Sequence, residues 1–190
     1  SRRIYPYIGA AGGQLVGVCD LDAEKARRNA ARFGGRPYED MDAMLDAERP
    51  DGVIICVGPR AHAELAVRVL RRGVPVYTEK PPALTAAAAL EVARAARQAG
   101  TLCTTAFKKR YATAYQRAKE FVESFPPEQL LSISVDYASA AYANDRPERT
   151  FLLDFAIHAI DLVGYLFGEV ESVFAFARGM GAYAVSLRFA

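Results

Sequence analysis

The chain has 190 residues, 52% of them hydrophobic and 24% charged, with 24 Lys and Arg set against 22 Asp and Glu. That is enough apolar material for a real core and excludes a disordered chain, while a formal net charge of +2 with interleaved signs offers no basic block to nucleic acid or a membrane surface. Cys19, Cys56 and Cys103 lie far apart with no CxxC pair, and with only two histidines no metal site is expected. The cysteines fall in apolar runs that read as buried strands, a usage that fits a reducing compartment. No run of about 18 apolar residues and no signal-peptide pattern is present, so a cytoplasmic protein is expected.

The first half alternates strands and helices with short joints. "LVGVC" (15–19) reads as a strand and "DAEKARRNAARF" (22–33) as an amphipathic helix ended by Gly34-Gly35. "GVIICV" (52–57) is an apolar strand, "AHAELAVRVLRR" (61–72) a helix closed by Gly73, and "VPVYT" (74–78) the next strand. Thr85 caps an alanine-rich helix that Gly100 ends; "TLCTTA" (101–106) is a further strand, and a helix follows over 113–124. Apolar strands separated by helices predict a parallel sheet covered on both faces, a doubly wound α/β fold of the Rossmann type. The pattern changes after Pro126-Pro127. "LLSISVDY" (130–137) alternates like a half-solvated strand, a polar loop follows, then an apolar helix over 151–167 and two strand-like runs, "SVFAFAR" and "AYAVSLRFA". Strands in succession predict a C-terminal α+β domain with a mostly antiparallel open sheet, so the expected domains are 1–125 and 126–190. A doubly wound nucleotide fold opens with a strand and a glycine-rich turn, whereas this chain opens on "SRRIYPYIGAAGG". The first strand and the glycine-rich loop are expected to be absent from these residues, and both domains to be incomplete.

Candidate chemistry sits where strands end, because ligands of such sheets lie beyond the carboxyl ends of strands. Asp20 closes "LVGVCD" and could accept hydrogen bonds from ribose hydroxyls; it could equally be a turn or cap acid before the helix. "CVGPRAH" places Val57, Gly58 and Pro59 beneath a cofactor, with His62 in the first turn of the helix. "TEKPP" puts Glu79 and Lys80 at the end of the next strand, with Pro81 and Pro82 fixing the loop and a cis bond possible before either. Asp154, His158 and Asp161 stand at i, i+4 and i+7 on an otherwise apolar helix, so this polar stripe needs partners or a cleft.

Together these motifs resemble the Gfo/Idh/MocA oxidoreductases, which include glucose–fructose oxidoreductase and inositol dehydrogenase. The resemblance runs from Leu15 to Gly168 and rests on "LVGVCD", "GPRAH", Glu79-Lys80-Pro81, Arg110 in "FKKRY" and "DFAIH" from Asp154 to His158. It implies NAD, with NADP as the other choice, held by Asp20, Val57, Pro59, His62, Glu79, Lys80 and Arg110. It implies hydride transfer between nicotinamide and a carbinol carbon of a sugar, cyclitol or related polyol. Lys80 would hydrogen-bond the reacting oxygen, His158 would act as general base or acid, and Asp154 would orient the imidazole or bind a substrate hydroxyl. The C-terminal sheet would build a homodimer or homotetramer. An NAD-dependent glycosidase of the same fold and a non-catalytic nucleotide-binding homologue are the alternatives.

Overall fold

The structure, a computed structural model, describes residues 4–130, 132–137, 151–179 and 182–190. A short helical turn, α1 (Tyr5–Ile8), leads to β1 (Gly17–Cys19), α2 (Ala23–Phe33), β2 (Arg36–Tyr38), α3 (Met41–Glu48) and β3 (Val53–Ile55). Then come α4 (His62–Leu70), β4 (Val76–Thr78), α5 (Ala86–Ala99), β5 (Cys103–Thr105) and α6 (Thr113–Glu123). The remainder is α7 (Ile157–Phe167) followed by β6 (Val170–Arg178) and β7 (Ala182–Phe189).

The helix limits follow from local chemistry. The Asp22 carboxylate accepts from Lys25 N–H to start α2, Asp40 from Ala43 N–H to start α3, and Thr85 Oγ1 from Ala88 N–H at 3.2 Å to start α5. Gly100 ends α5 in the left-handed conformation. β2 and α3 have no counterpart in the sequence reading. Pro37 inside a three-residue strand hides β2, whereas Asp40 followed by Met41, Met44 and Leu45 is an ordinary capped helix pattern.

The parallel strands form two blocks, β1–β2 and β3–β4–β5. In the doubly wound order 3-2-1-4-5-6, that pairing corresponds to the two flanks, with the place of the first strand between β1 and β3. The larger block carries the core: Leu45, Ile55, Ala66, Val69, Leu70, Val76, Val92 and Ala95 pack where α4 and α5 cover β3 and β4. Gly35 is required where β1 and β2 are joined. Its φ is +84°, and a Cβ there would lie 3.1 Å from Gly17 N and Leu15 O. The cysteines are half-buried rather than fully buried, and burial raises each thiol pKa.

The second half departs from expectation at its start. Residues 132–137 form no strand, and Ile133 and Val135 remain exposed, because no described strand supplies the ladder to which an alternating pattern must pair. The polar loop over 138–150 lies outside the described residues. The helix read over 151–167 is present but opens with a π-helical segment, Leu152–Ala156, before α7. β6 and β7 pair antiparallel, from Val170↔Phe189 to Arg178↔Ala182. No helix among the described residues is long and apolar enough to cross a membrane.

Replacing Thr85 by Ala removes the cap of α5 and should lower the unfolding free energy by about 1 kcal/mol, while Thr85→Ser should restore most of it. Urea unfolding monitored by circular dichroism reads the difference, and equal midpoints for wild type and Thr85→Ala would rule the cap out as a stabilising contact.

Candidate active site

β4 ends at Thr78, and its ladder runs one residue further, with Glu79 N–H donating to Ile55 O at 2.9 Å. Beyond it the chain cannot continue as a central strand, because Pro81 and Pro82 have no N–H to donate. The Lys80–Pro81 peptide is cis. This turn lifts Lys80 off the sheet edge and across to the second half of the molecule, where Nζ donates to the Asp154 carbonyl at 2.8 Å and to Asp154 Oδ1 at 3.3 Å. Both side chains are largely buried, 19% and 12% exposed. Among the described residues, these contacts use two of the three ammonium donors.

The polar stripe of the second half finds its partners on the first. Asp154 takes Lys80. Asp161 takes Arg110 in a bidentate pair, Nε to Oδ2 at 2.9 Å and Nη2 to Oδ1 at 2.5 Å, which raises the Arg110 pKa further. Arg110 belongs to a 3-10 turn, Lys108–Tyr111, just past the end of β5, and its guanidinium also lies over the Phe107 and Tyr165 rings. His158 sits between the two ion pairs, 8% exposed, and its Nδ1 has no hydrogen-bond partner among the described residues. Burial lowers the imidazole pKa, and the charges of Lys80, Lys108 and Lys109 lower it further; Asp161 opposes them. A neutral ring is the form that can take a proton.

The other candidates line the strand ends. Asp20 follows β1 and is half-buried, and its Oδ1 accepts from Asp22 N–H at 2.9 Å. Val57 is 48% exposed just past β3, Gly58 has open space where a Cβ would stand, and Pro59 begins a 3-10 turn into α4. Glu79 is half-buried, and its Oε2 accepts from Lys80 N–H at 3.2 Å. His62 is placed differently from the rest. Its ring is 1% exposed, with Nδ1 2.7 Å from Pro81 O and Nε2 3.1 Å from Val57 O. Thus Lys80, Asp154, His158, Arg110 and Asp161 come together, Val57, Glu79 and His62 border them, and Asp20 stands at the end of the other block.

Lys108 and Lys109 escaped the sequence reading, although they precede Arg110 directly. Their signal was the charge run itself, which carries no information about the histidine it would face. Lys109 is held by Tyr115, Nζ to Oη at 3.2 Å, and lies over the Tyr115 and Tyr137 rings. Among the described residues no three His, Cys, Asp or Glu side chains form a metal-holding group. An open apolar groove between α5 and β5, lined by Ala89, Val92, Ala96, Leu102 and Cys103, includes none of the candidate residues.

A split parallel sheet with its polar side chains gathered at the strand ends defines a dinucleotide-binding fold. The family model described as "Oxidoreductase family, NAD-binding Rossmann fold" matches residues 1–107. The chain belongs to this Gfo/Idh/MocA oxidoreductase family. It is 28% identical over 161 residues to an inositol 2-dehydrogenase of Saccharopolyspora erythraea, covering 84% of this chain and 48% of the relative. It is 30% identical over 181 residues to a D-apiose dehydrogenase of Paraburkholderia graminis, covering 92% and 48%. The chain therefore spans about half the length of the curated relatives it matches. The crystal structure of the WlbA dehydrogenase of Bordetella pertussis, in complex with NADH and UDP-GlcNAcA, superposes with a TM-score of 0.79 at 23% identity, covering 98% of this chain and 63% of that one. That likeness is one of fold.

The site geometry sets the sign of a pH effect. A lowered folded-state pKa means that unfolding takes up a proton as pH falls below the ordinary histidine value of 6.5, so stability declines from there down through the folded pKa. An NMR titration should place His158 below that ordinary value, and Lys80→Met should move it upward by removing one of the charges that depress it. A downward or null shift in Lys80→Met would contradict the arrangement.

Proposed function

We propose that the protein is an NAD-dependent oxidoreductase that moves a hydride between the nicotinamide and a carbinol carbon of a sugar, cyclitol or related polyol. The observation that carries this reading is the Lys80–Asp154 contact, which sets a strand-end lysine beside a buried, neutral-leaning histidine. Residues 1–125 would hold the nucleotide and 126–190 would contribute the substrate side.

The strand edge fits such a cofactor: exposed apolar surface at Val57, open space above Gly58, and a half-buried carboxylate at Asp20. Asp20, Val57, Pro59, Glu79 and Arg110 would hold it, with His62 behind them. When bound, the nicotinamide accepts or returns the hydride. Lys80 directs its remaining N–H at the reacting oxygen and favours alkoxide character. His158 takes the hydroxyl proton in oxidation and returns it in reduction. With Nδ1 sealed from solvent, Nε2 is its exchanging nitrogen. Asp154 holds the lysine through its carbonyl and Oδ1, and from the same helical segment it would orient the imidazole or bind a substrate hydroxyl. Asp20 disfavours NADP by placing a negative charge near the 2′-phosphate. Three unbridged thiols support a cytoplasmic setting.

Steady-state kinetics of the full-length protein on a polyol panel, with NAD and NADP compared by kcat/KM, tests the reading. Lys80→Met and His158→Asn should each lower kcat about 100- to 10,000-fold with little change in NAD binding. Near-normal turnover in either folded variant, or a preference for NADP, would remove the corresponding residue from its role.

We also propose that the protein assembles as a homodimer or homotetramer through the β6–β7 sheet, whose Val173, Phe174 and Phe176 are 65%, 62% and 68% exposed. Light scattering of the full-length protein should give a multiple of the subunit mass, lost in Phe174→Glu/Phe176→Glu. A monomeric wild type would refute it.

A further inference from the structure

We propose that His62 is a positioning residue that ties the turn after β3 to the loop carrying Lys80, and so sets where the lysine stands. β3 and β4 are paired from Val53↔Val76 to Ile55↔Thr78, and the last backbone bond between them is Glu79 N–H to Ile55 O. Past that point the ladder stops for a chemical reason. Pro81 and Pro82 have no amide hydrogen, so the loop cannot donate to the Val57 carbonyl as a continuing parallel strand would. No other backbone hydrogen bond joins 56–59 to 80–84 among the described residues. The two segments that flank the proposed cofactor cleft therefore diverge with their carbonyls unmatched.

The His62 ring fills that gap. It rises from the first residue of α4, is 1% exposed, and faces Pro81 O with Nδ1 at 2.7 Å and Val57 O with Nε2 at 3.1 Å. Both neighbours are acceptors, so a neutral ring donates to one of them only; the shorter contact favours donation to Pro81 O, with the other nitrogen packed against Val57 O. Pro81 is itself fully buried, so no water reaches that carbonyl to replace the imidazole. Lys80 is the next residue back along the chain. Its ammonium must meet Asp154 at 2.8 Å across the cleft, and a shift of the Pro81 carbonyl carries the lysine with it. A misplacement of about 1 Å in such a group can cost about 100-fold in rate. The role assigned here is indirect: neither ring nitrogen is left to touch cofactor or substrate.

The kinetic part of the test rests on the oxidoreductase reading, and the exchange part does not. In the full-length protein, His62→Phe keeps an aromatic ring without a donor, and His62→Gln keeps an amide N–H. His62→Phe should lower kcat about 10- to 100-fold, with a larger deuterium isotope effect on the polyol and an NADH Kd changed only a few-fold. His62→Gln should recover part of kcat at a comparable melting temperature. By hydrogen-exchange mass spectrometry, the Glu79 and Lys80 amides should exchange faster in His62→Phe than in wild type. Wild-type kcat in His62→Phe overturns the proposal. So does a weakened NADH Kd with unchanged saturating kcat, which would make His62 a direct cofactor contact, and so does equal impairment of both variants. If the wild type turns over no polyol, the oxidoreductase reading fails and exchange alone decides: unchanged protection at Glu79 and Lys80 overturns the clasp, and faster exchange supports it.

Discussion

Two ion pairs, Lys80–Asp154 and Arg110–Asp161, are the contacts on which the candidate site depends. Each joins the carboxyl end of a parallel strand to the helical segment of the second half. A carboxylate on an apolar helix is costly unless a partner meets it, and here the partners come from the turns that follow β4 and β5. The Asp161 side chain is almost fully buried at 6% exposure, and its bidentate partner fixes α7 against the turn that follows β5. His158 lies between the two anchors. Desolvation there, and the charges of Lys80, Lys108 and Lys109, lower its pKa against the opposing charge of Asp161.

The strands themselves are short, three residues each in the parallel blocks, and their contribution is placement. The core formed by Leu70, Val69, Ala66 and Val76 fixes α4 and β4, so that His62 at the head of one and Lys80 beyond the end of the other are set by the same packing. A change deep in that core would therefore be felt at the site without touching it. The prolines after Lys80 end the ladder, and side chains take over locally: the His62 ring meets the Pro81 carbonyl, and the Glu79 carboxylate accepts from Lys80 N–H. The packing that stabilises the first half thus also preorganises its polar edge.

The π-helical segment at Leu152–Ala156 changes how the polar stripe should be understood. In an ideal α-helix, positions i and i+4 share a face, so Asp154 and His158 would be natural partners. The π winding widens one turn; Asp154 Oδ1 and its carbonyl meet Lys80, and His158 Nδ1 has no hydrogen-bond partner among the described residues.

The sequence by itself determined the alternation of parallel strands and helices through Thr113–Glu123 apart from β2 and α3, together with the Thr85 cap, the strand-end lysine and the antiparallel β6–β7 pair. All of these rest on chemistry within a few residues of one another: periodicity, caps and proline punctuation. It also showed that Asp154, His158 and Asp161 needed partners, because unpaired polar groups on an apolar helix are unfavourable wherever the helix lies. It did not show who the partners were. Lys80 and Asp154 are 74 residues apart, as Arg110 and Asp161 are 51, and no local pattern encodes a contact across such a span. The same limit explains 132–137, where alternation specified a strand face and only a neighbouring strand could have made it a strand. His62 is the clearest case. Its place in a helix first turn was legible, but its two carbonyl partners exist only once β3 and β4 lie side by side and the prolines of the loop have left those carbonyls without donors.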